Sequence, residues 1–153
     1  MSVTESTTRT IQLLLVDDHA MFREGLVRML EKEADLKVVG QCASAREALA
    51  MLPASGADMV LLDVDLGSER ALDFVLGART KGFQGQILVV TAGMSDQEAL
   101  QLMQAGVAGI LHKHHSTEIL LQTIRQVAAG ESVDVKLAQG ELACVVRTVR
   151  NDK

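Results

Sequence analysis

Four apolar runs along this chain stop abruptly at a polar group. Val60-Leu61-Leu62 meets Asp63, with Val64-Asp65 behind it. Leu13-Leu14-Leu15-Val16 ends in Asp17-Asp18, Ile87-Leu88-Val89-Val90 ends in Thr91, and Ala108-Gly109-Ile110-Leu111 ends in His112-Lys113. Unbroken apolar runs of this length are the pattern of parallel strands buried on both faces. The spacing predicts strands over 11–16, 36–42, 58–62, 86–90 and 109–111.

Between these runs the period switches to that of a helix. Phe22, Leu26, Met29 and Leu30 share one face of a helix over about 20–32. Ser44 caps a second helix carrying Ala45, Ala48, Leu49 and Leu52 on one side, and Pro53 and Gly56 are expected to break it. A third helix is expected over about 69–79. Ser95 with Glu98 fits a capping box for a fourth, which ends near Gly106. The fifth, over 116–129, carries Leu120, Ile124 and Val127 on one face, and Gly130 stops it. Strand and helix thus alternate five times, which means parallel strands with helical crossovers on both faces of one sheet. Residues 1–10 are polar and expected to be disordered. Residues 11–130 form one domain. The segment 131–153 reads as a linker or extra helix: Val133 to Leu137 alternates weakly, and Glu141 to Arg150 fits a further helix.

Composition narrows the picture. Hydrophobic residues make up 48% of the 153 positions, enough for a real core, while aromatics are only 2%, so that core is aliphatic. A net charge of −5 argues against nucleic-acid binding by the chain's own surface. Cys42 and Cys144 are too few and too far apart for a disulfide framework or a zinc site, and Cys42 reads as a buried thiol. No apolar run approaches the roughly 20 residues of a membrane span, and the start lacks a signal-peptide pattern. A cytoplasmic setting is the expectation.

In a parallel sheet the strand exits share one edge, where open α/β folds carry out their chemistry. Asp17, Asp18 and Asp63 would meet there. Three carboxylates so close repel unless a cation lies among them, and a hard oxygen-seeking cation, Mg²⁺ above all, resolves the conflict. Lys113 adds a second positive charge and Thr91 a hydroxyl donor. The carboxylate of Asp63 would be the nucleophile that receives a phosphoryl group. Each residue alone has a plainer explanation; Asp17 or Asp18 could cap the helix starting near Ala20.

The order of these residues resembles the receiver domain of bacterial response regulators. Leu15-Val16-Asp17-Asp18-His19 and the stretch from Ala105 to Lys113 carry the likeness, which covers about 11–130. Ala128-Ala129-Gly130-Glu131 is similar to the LuxR/NarL branch, whose output is a helix-turn-helix. The resemblance implies a flavodoxin-like (CheY-like) five-stranded parallel sheet of order 2-1-3-4-5 with five flanking helices in three α/β/α layers. It implies Asp63 as phosphoacceptor, served by a sensor histidine kinase or a small phosphodonor. Asp18 would bind Mg²⁺ directly, Asp17 through water, and Asp65 through its backbone carbonyl. Thr91 and Lys113 would bind the phosphoryl group. No enzymatic turnover is implied beyond self-phosphorylation from a donor and autodephosphorylation. A homodimer on phosphorylation is implied, and transcription would be regulated through a DNA-binding domain, which the 23 residues after Gly130 are too few to form.

Three departures from the family pattern matter. Ile110 stands where many relatives carry a switch aromatic, so coupling must run through aliphatic repacking. Gly67-Ser68-Glu69-Arg70-Ala71 lacks the usual Pro and Gly, so a more mobile loop is expected. Asp65 places a carboxyl beside the phosphorylation site and is expected to alter phosphate lifetime. His112, His114 and His115 read as solvated rather than as a metal site, with His115 a possible cap for the last helix. Met21, Met29, Met51, Met94 and Met103 read as aliphatic filler, and Phe22, Phe74 and Phe83 as core.

Rival readings fit less well. The Asp63-Val64-Asp65 motif resembles that of haloacid-dehalogenase-type phosphatases, but Gly67 stands where they need Thr or Val. A nucleotide-binding fold would need a glycine-rich motif after the first strand. A stand-alone receiver serving as a protein-interaction module remains the main alternative.

Overall fold

The computed structural model describes residues 10–130 and the backbone of 136–138 and 141–146. Strands β1 (Ile11–Val16), β2 (Leu36–Cys42), β3 (Met59–Leu62), β4 (Gln86–Thr91) and β5 (Gly109–His112) alternate with five helices. These are α1 (Ala20–Glu31), α2 (Ala45–Ser55), α3 (Ala71–Thr80), α4 (Asp96–Gln104) and α5 (Thr117–Ala128). The five strands are all parallel and lie in the order β2-β1-β3-β4-β5.

The alternation of side chains along each strand explains why the runs are wholly apolar. Leu14, Val16, Val60, Leu62, Ile87, Val89 and Ile110 face a core shared with α2, α3 and α4. Leu13, Leu15, Met59, Leu61, Leu88, Val90 and Leu111 face a second core shared with α1 and α5. Both faces are covered, so neither set of positions can be polar. Phe74, at the centre of the first core, is fully buried.

The sheet does not stop at β5. Strand β6 (Lys136–Ala138) and strand β7 (Glu141–Val146) form an antiparallel hairpin, and β7 pairs antiparallel with β5 through Gly109, Ile110 and Leu111. The expected helix from Glu141 is therefore strand over 141–146. A weak alternating pattern next to an open sheet edge is satisfied by ladder hydrogen bonds, a long-range partner that no helical propensity reveals. Residues 1–9, 131–135, 139–140 and 147–153 lie outside the described residues, as does the side chain of Cys144.

Two helix boundaries and two caps differ from the sequence expectation. Helix α2 continues through Pro53 to Ser55 and stops only where Gly56 turns to φ 76°. Proline in the last turn removes a single ladder bond, and the Ser55 hydroxyl donates to the Leu52 carbonyl at 2.8 Å to hold that turn. Helix α3 begins at Ala71 rather than near Glu69, because Glu69 is occupied elsewhere. Neither Asp17 nor Asp18 caps α1: His19 holds the cap position with no side-chain cap bond, and Ser116, not His115, caps α5. Among the methionines, Met21 is 88% exposed rather than core.

Candidate functional site

The order 2-1-3 makes the chain leave β1 in opposite directions across the sheet, which opens a crevice beyond the exits of β1 and β3. Backbone bonds set those exits in register. The Asp63 amide donates to the Val16 carbonyl at 2.8 Å, the Asp17 amide to Cys42 at 3.0 Å, and the Lys113 amide to Thr91 at 2.7 Å. Acids from β1 and β3 and an ammonium from β5 thereby reach one point.

Asp63 is 2% exposed, and neither of its carboxylate oxygens accepts a hydrogen bond. Buried acceptors are nearly always satisfied, so this pair is unusual. Burial pushes its carboxyl up to about 6, the charge of Asp17 adds to the rise, and Lys113, the Asp65 backbone amide and His19 oppose it. The Lys113 ammonium stands 3.0 Å from Asp17 Oδ2 and 3.6 Å from Asp63 Oδ2. It lies 4.3 Å from the centre of the Phe22 ring, which gives the cation a face to rest on. Phe22, expected as plain core, thus supports Lys113. The Asp17 loop is held from behind, where the Arg23 guanidinium donates to the Asp17 carbonyl and to Gln41 Oε1.

The sequence reading missed His19. Its Nδ1 lies 3.2 Å from Asp17 Oδ1, 3.2 Å from Asp18 Oδ1 and 3.7 Å from Asp63 Oδ2. The four side chains place their donor atoms within 4.8 Å of one another. The available signal was adjacency alone: His19 follows the acid pair on the same short loop.

The response regulator receiver domain family matches residues 13–125. This chain belongs to that family. The receiver is 28% identical over 138 residues to the nitrate/nitrite response regulator protein NarL of Escherichia coli K12, covering 90% of this chain and 64% of NarL. It is 32% identical over 123 residues to the DNA-binding transcriptional activator DevR/DosR of Mycobacterium tuberculosis, covering 80% of this chain and 57% of that protein. A two-component response regulator of the LuxR family from Aurantimonas sp. SI85-9A1 superposes with a TM-score of 0.74 at 30% identity, over 79% of this chain and 86% of that one. These likenesses place the receiver in the NarL/LuxR branch. The chain spans about three-fifths of the length of the curated relatives it matches.

The remaining expected positions of the receiver divide in two. Thr91 is buried at the end of β4, yet its hydroxyl exchanges hydrogen bonds with Gly93, accepting from the amide at 3.0 Å and donating to the carbonyl at 3.1 Å. It is turned into the β4–α4 loop rather than joined to the acids. Ile110 is buried in the core beneath α4. The Asp65 side chain is exposed. The loop that carries it is anchored at two points where greater mobility was expected. Leu66 is buried, and the Glu69 carboxylate accepts from the first free amides of α2, Ala45 at 2.7 Å and Arg46 at 3.2 Å. Beside Lys113, the His112 ring packs tilted against His114 with centroids 3.9 Å apart, and His114 stacks on His115 at 5.2 Å. Among the described residues, no helix is long and apolar enough to cross a membrane.

Proposed function

We propose that the receiver is a cytoplasmic phosphorylation switch whose acceptor is Asp63. The observation that carries this reading is the pair of buried Asp63 oxygens without hydrogen-bond partners, facing two further carboxylates and one ammonium. A buried acceptor pair left unsatisfied calls for a functional explanation, and a cation bound among the acids supplies one.

A divalent cation fits the residues present. Asp17, Asp18 and Asp63 offer oxygen donors of the kind Mg²⁺ takes, and the backbone carbonyl of Asp65 would complete the protein's share. Bound there, Mg²⁺ would offset the charge of the three acids and of a phosphoryl group in transfer. The chain's own residues do the rest. An oxygen of Asp63 attacks phosphorus, the bond from phosphorus to the donor breaks, and its electron pair leaves with the donor. A phosphohistidine on a sensor kinase, or acetyl phosphate, would serve as donor. Lys113 shifts from the carboxylates toward the new phosphoryl oxygens. Thr91 must first release Gly93 to donate its hydroxyl there, and that exchange would move the β4–α4 loop. Ile110, buried in the core on the α4 side of the sheet, would transmit the change by aliphatic repacking.

Phosphorylation would favour a minor conformation that already exists and so alter a surface used for dimerisation. The names of the relatives support transcription as the output, through a DNA-binding domain outside this chain. No turnover of a separate substrate is proposed beyond self-phosphorylation and autodephosphorylation.

Intact mass after incubation with acetyl phosphate and Mg²⁺ tests the reading. One phosphoryl adduct is expected on the wild type and none on Asp63→Asn; an equal adduct on both would refute it. Asp65→Asn should change the phosphate half-life severalfold, measured by the same mass decay, and an unchanged decay would remove Asp65 from the chemistry.

A further inference from the structure

We propose that His19 is a nitrogen ligand of the cation site and tunes it toward first-row transition dications over Mg²⁺. This inference rests on the cation reading given above. Three observations carry it. First, the Asp63 oxygens are buried and accept no hydrogen bond, which leaves their lone pairs available to a cation. Second, the imidazole faces the same acids. Its Nδ1 hydrogen-bonds Asp17 Oδ1 at 3.2 Å and stands 3.2 and 3.7 Å from one oxygen each of Asp18 and Asp63. Donors bound side by side at about 2.1 Å on an octahedral cation sit about 3.0 Å apart, so the two shorter separations are near that spacing and the third needs a small closure of the ring toward Asp63. Third, the ring is held in place by its own backbone. The His19 amide donates to Asp17 Oδ1 at 2.8 Å, so the histidine and the first acid form one turn.

The identity of the donor decides the preference. Mg²⁺ takes oxygen and keeps its waters, and gains little from an imidazole. Manganese, cobalt and nickel accept mixed nitrogen and oxygen sets, with affinity rising in that order. A ligand set of three carboxylates alone would discriminate only weakly. Adding His19 makes this loop a selector among the dications available to it.

The test uses the whole 153-residue chain and its His19→Gln variant. Affinities for MgCl₂ and CoCl₂ are measured by titration calorimetry, and the Mn²⁺-loaded protein is examined by pulsed electron paramagnetic resonance. In the wild type, nitrogen-14 modulation from a directly bound imidazole is expected, and it should vanish in the variant. The Co²⁺ affinity should fall about tenfold or more in the variant while Mg²⁺ affinity stays within about twofold. A modulation that is absent from the wild type, or that persists in the variant, would overturn the assignment. So would an equal loss of affinity for both cations, which is the mark of a structural role. Cation binding without nitrogen coupling would sink the role of His19 alone. A wild type that binds none of these cations would sink the cation reading itself.

Discussion

Asp63 bears opposing demands. The proposed phosphoryl acceptance needs a carboxylate, yet burial and Asp17 hold the carboxyl near 6 against an ordinary 3.8. An acid whose folded value is raised binds its proton more tightly folded than unfolded. Between about 4 and 6 the native state carries the extra proton, so folding stability falls as pH rises through that window. Without divalent cations, Asp63→Asn should therefore be more stable than the wild type at pH 8, by an amount on the order of 1–2 kcal/mol. The gap should shrink toward pH 5 and close when Mg²⁺ is added; urea midpoints check both. Residues at this scale were legible jointly: each acid or ammonium alone has a plainer use, but several at the exits of neighbouring strands do not. Asp17, Asp18, Asp63 and Lys113 all meet as expected. His19 and Phe22 were not legible, because a ring beside a charge is a matter of three-dimensional aim and not of spacing.

The elements show where local signals lose to distant ones. Glu69 belongs by pattern to the start of α3, but its carboxylate sits on the N-terminus of α2, 24 residues back in the chain. There it meets free amides and the positive end of the helix. Glu69→Ala should lower stability by about 1 kcal/mol, within the range of lost helix caps. Hydrogen exchange should quicken at Ala45 and Arg46 and in the 66–69 loop, and not in α5. If exchange quickens only within the loop, the tie between the two elements is not what holds it. Pro53 makes the same point in reverse. A strong breaker is tolerated in a last turn whose buried Leu52 and bonded Ser55 keep it wound.

At the scale of the whole molecule, five alternations of strand and helix sufficed to foretell a two-faced parallel sheet, while its order came from the resemblance to receiver domains. The edge was beyond reach, because which segment closes an open strand depends on what lies nearby once the chain has folded. The hairpin gives β5 ladder partners on both sides. A chain ended at Gly130 should lose that ladder. Amide exchange at Gly109 to Leu111 should accelerate, and size-exclusion chromatography should show association rising with concentration, as expected of a freed strand edge. A monomer with unchanged exchange would show that the hairpin carries little weight.

The hairpin also makes the molecule a lever. Anything attached beyond Val146 pulls along β7, and β7 is stitched to β5 at Gly109, Ile110 and Leu111. Lys113 lies two residues past the last stitch, with its ammonium against Asp17. Tension at the C-terminal end would thus be delivered in shear to the strand that leads into Lys113, the cation proposed to bind the phosphoryl group. Force applied from outside and charge gained at Asp63 would act on the same short stretch of backbone, from opposite ends.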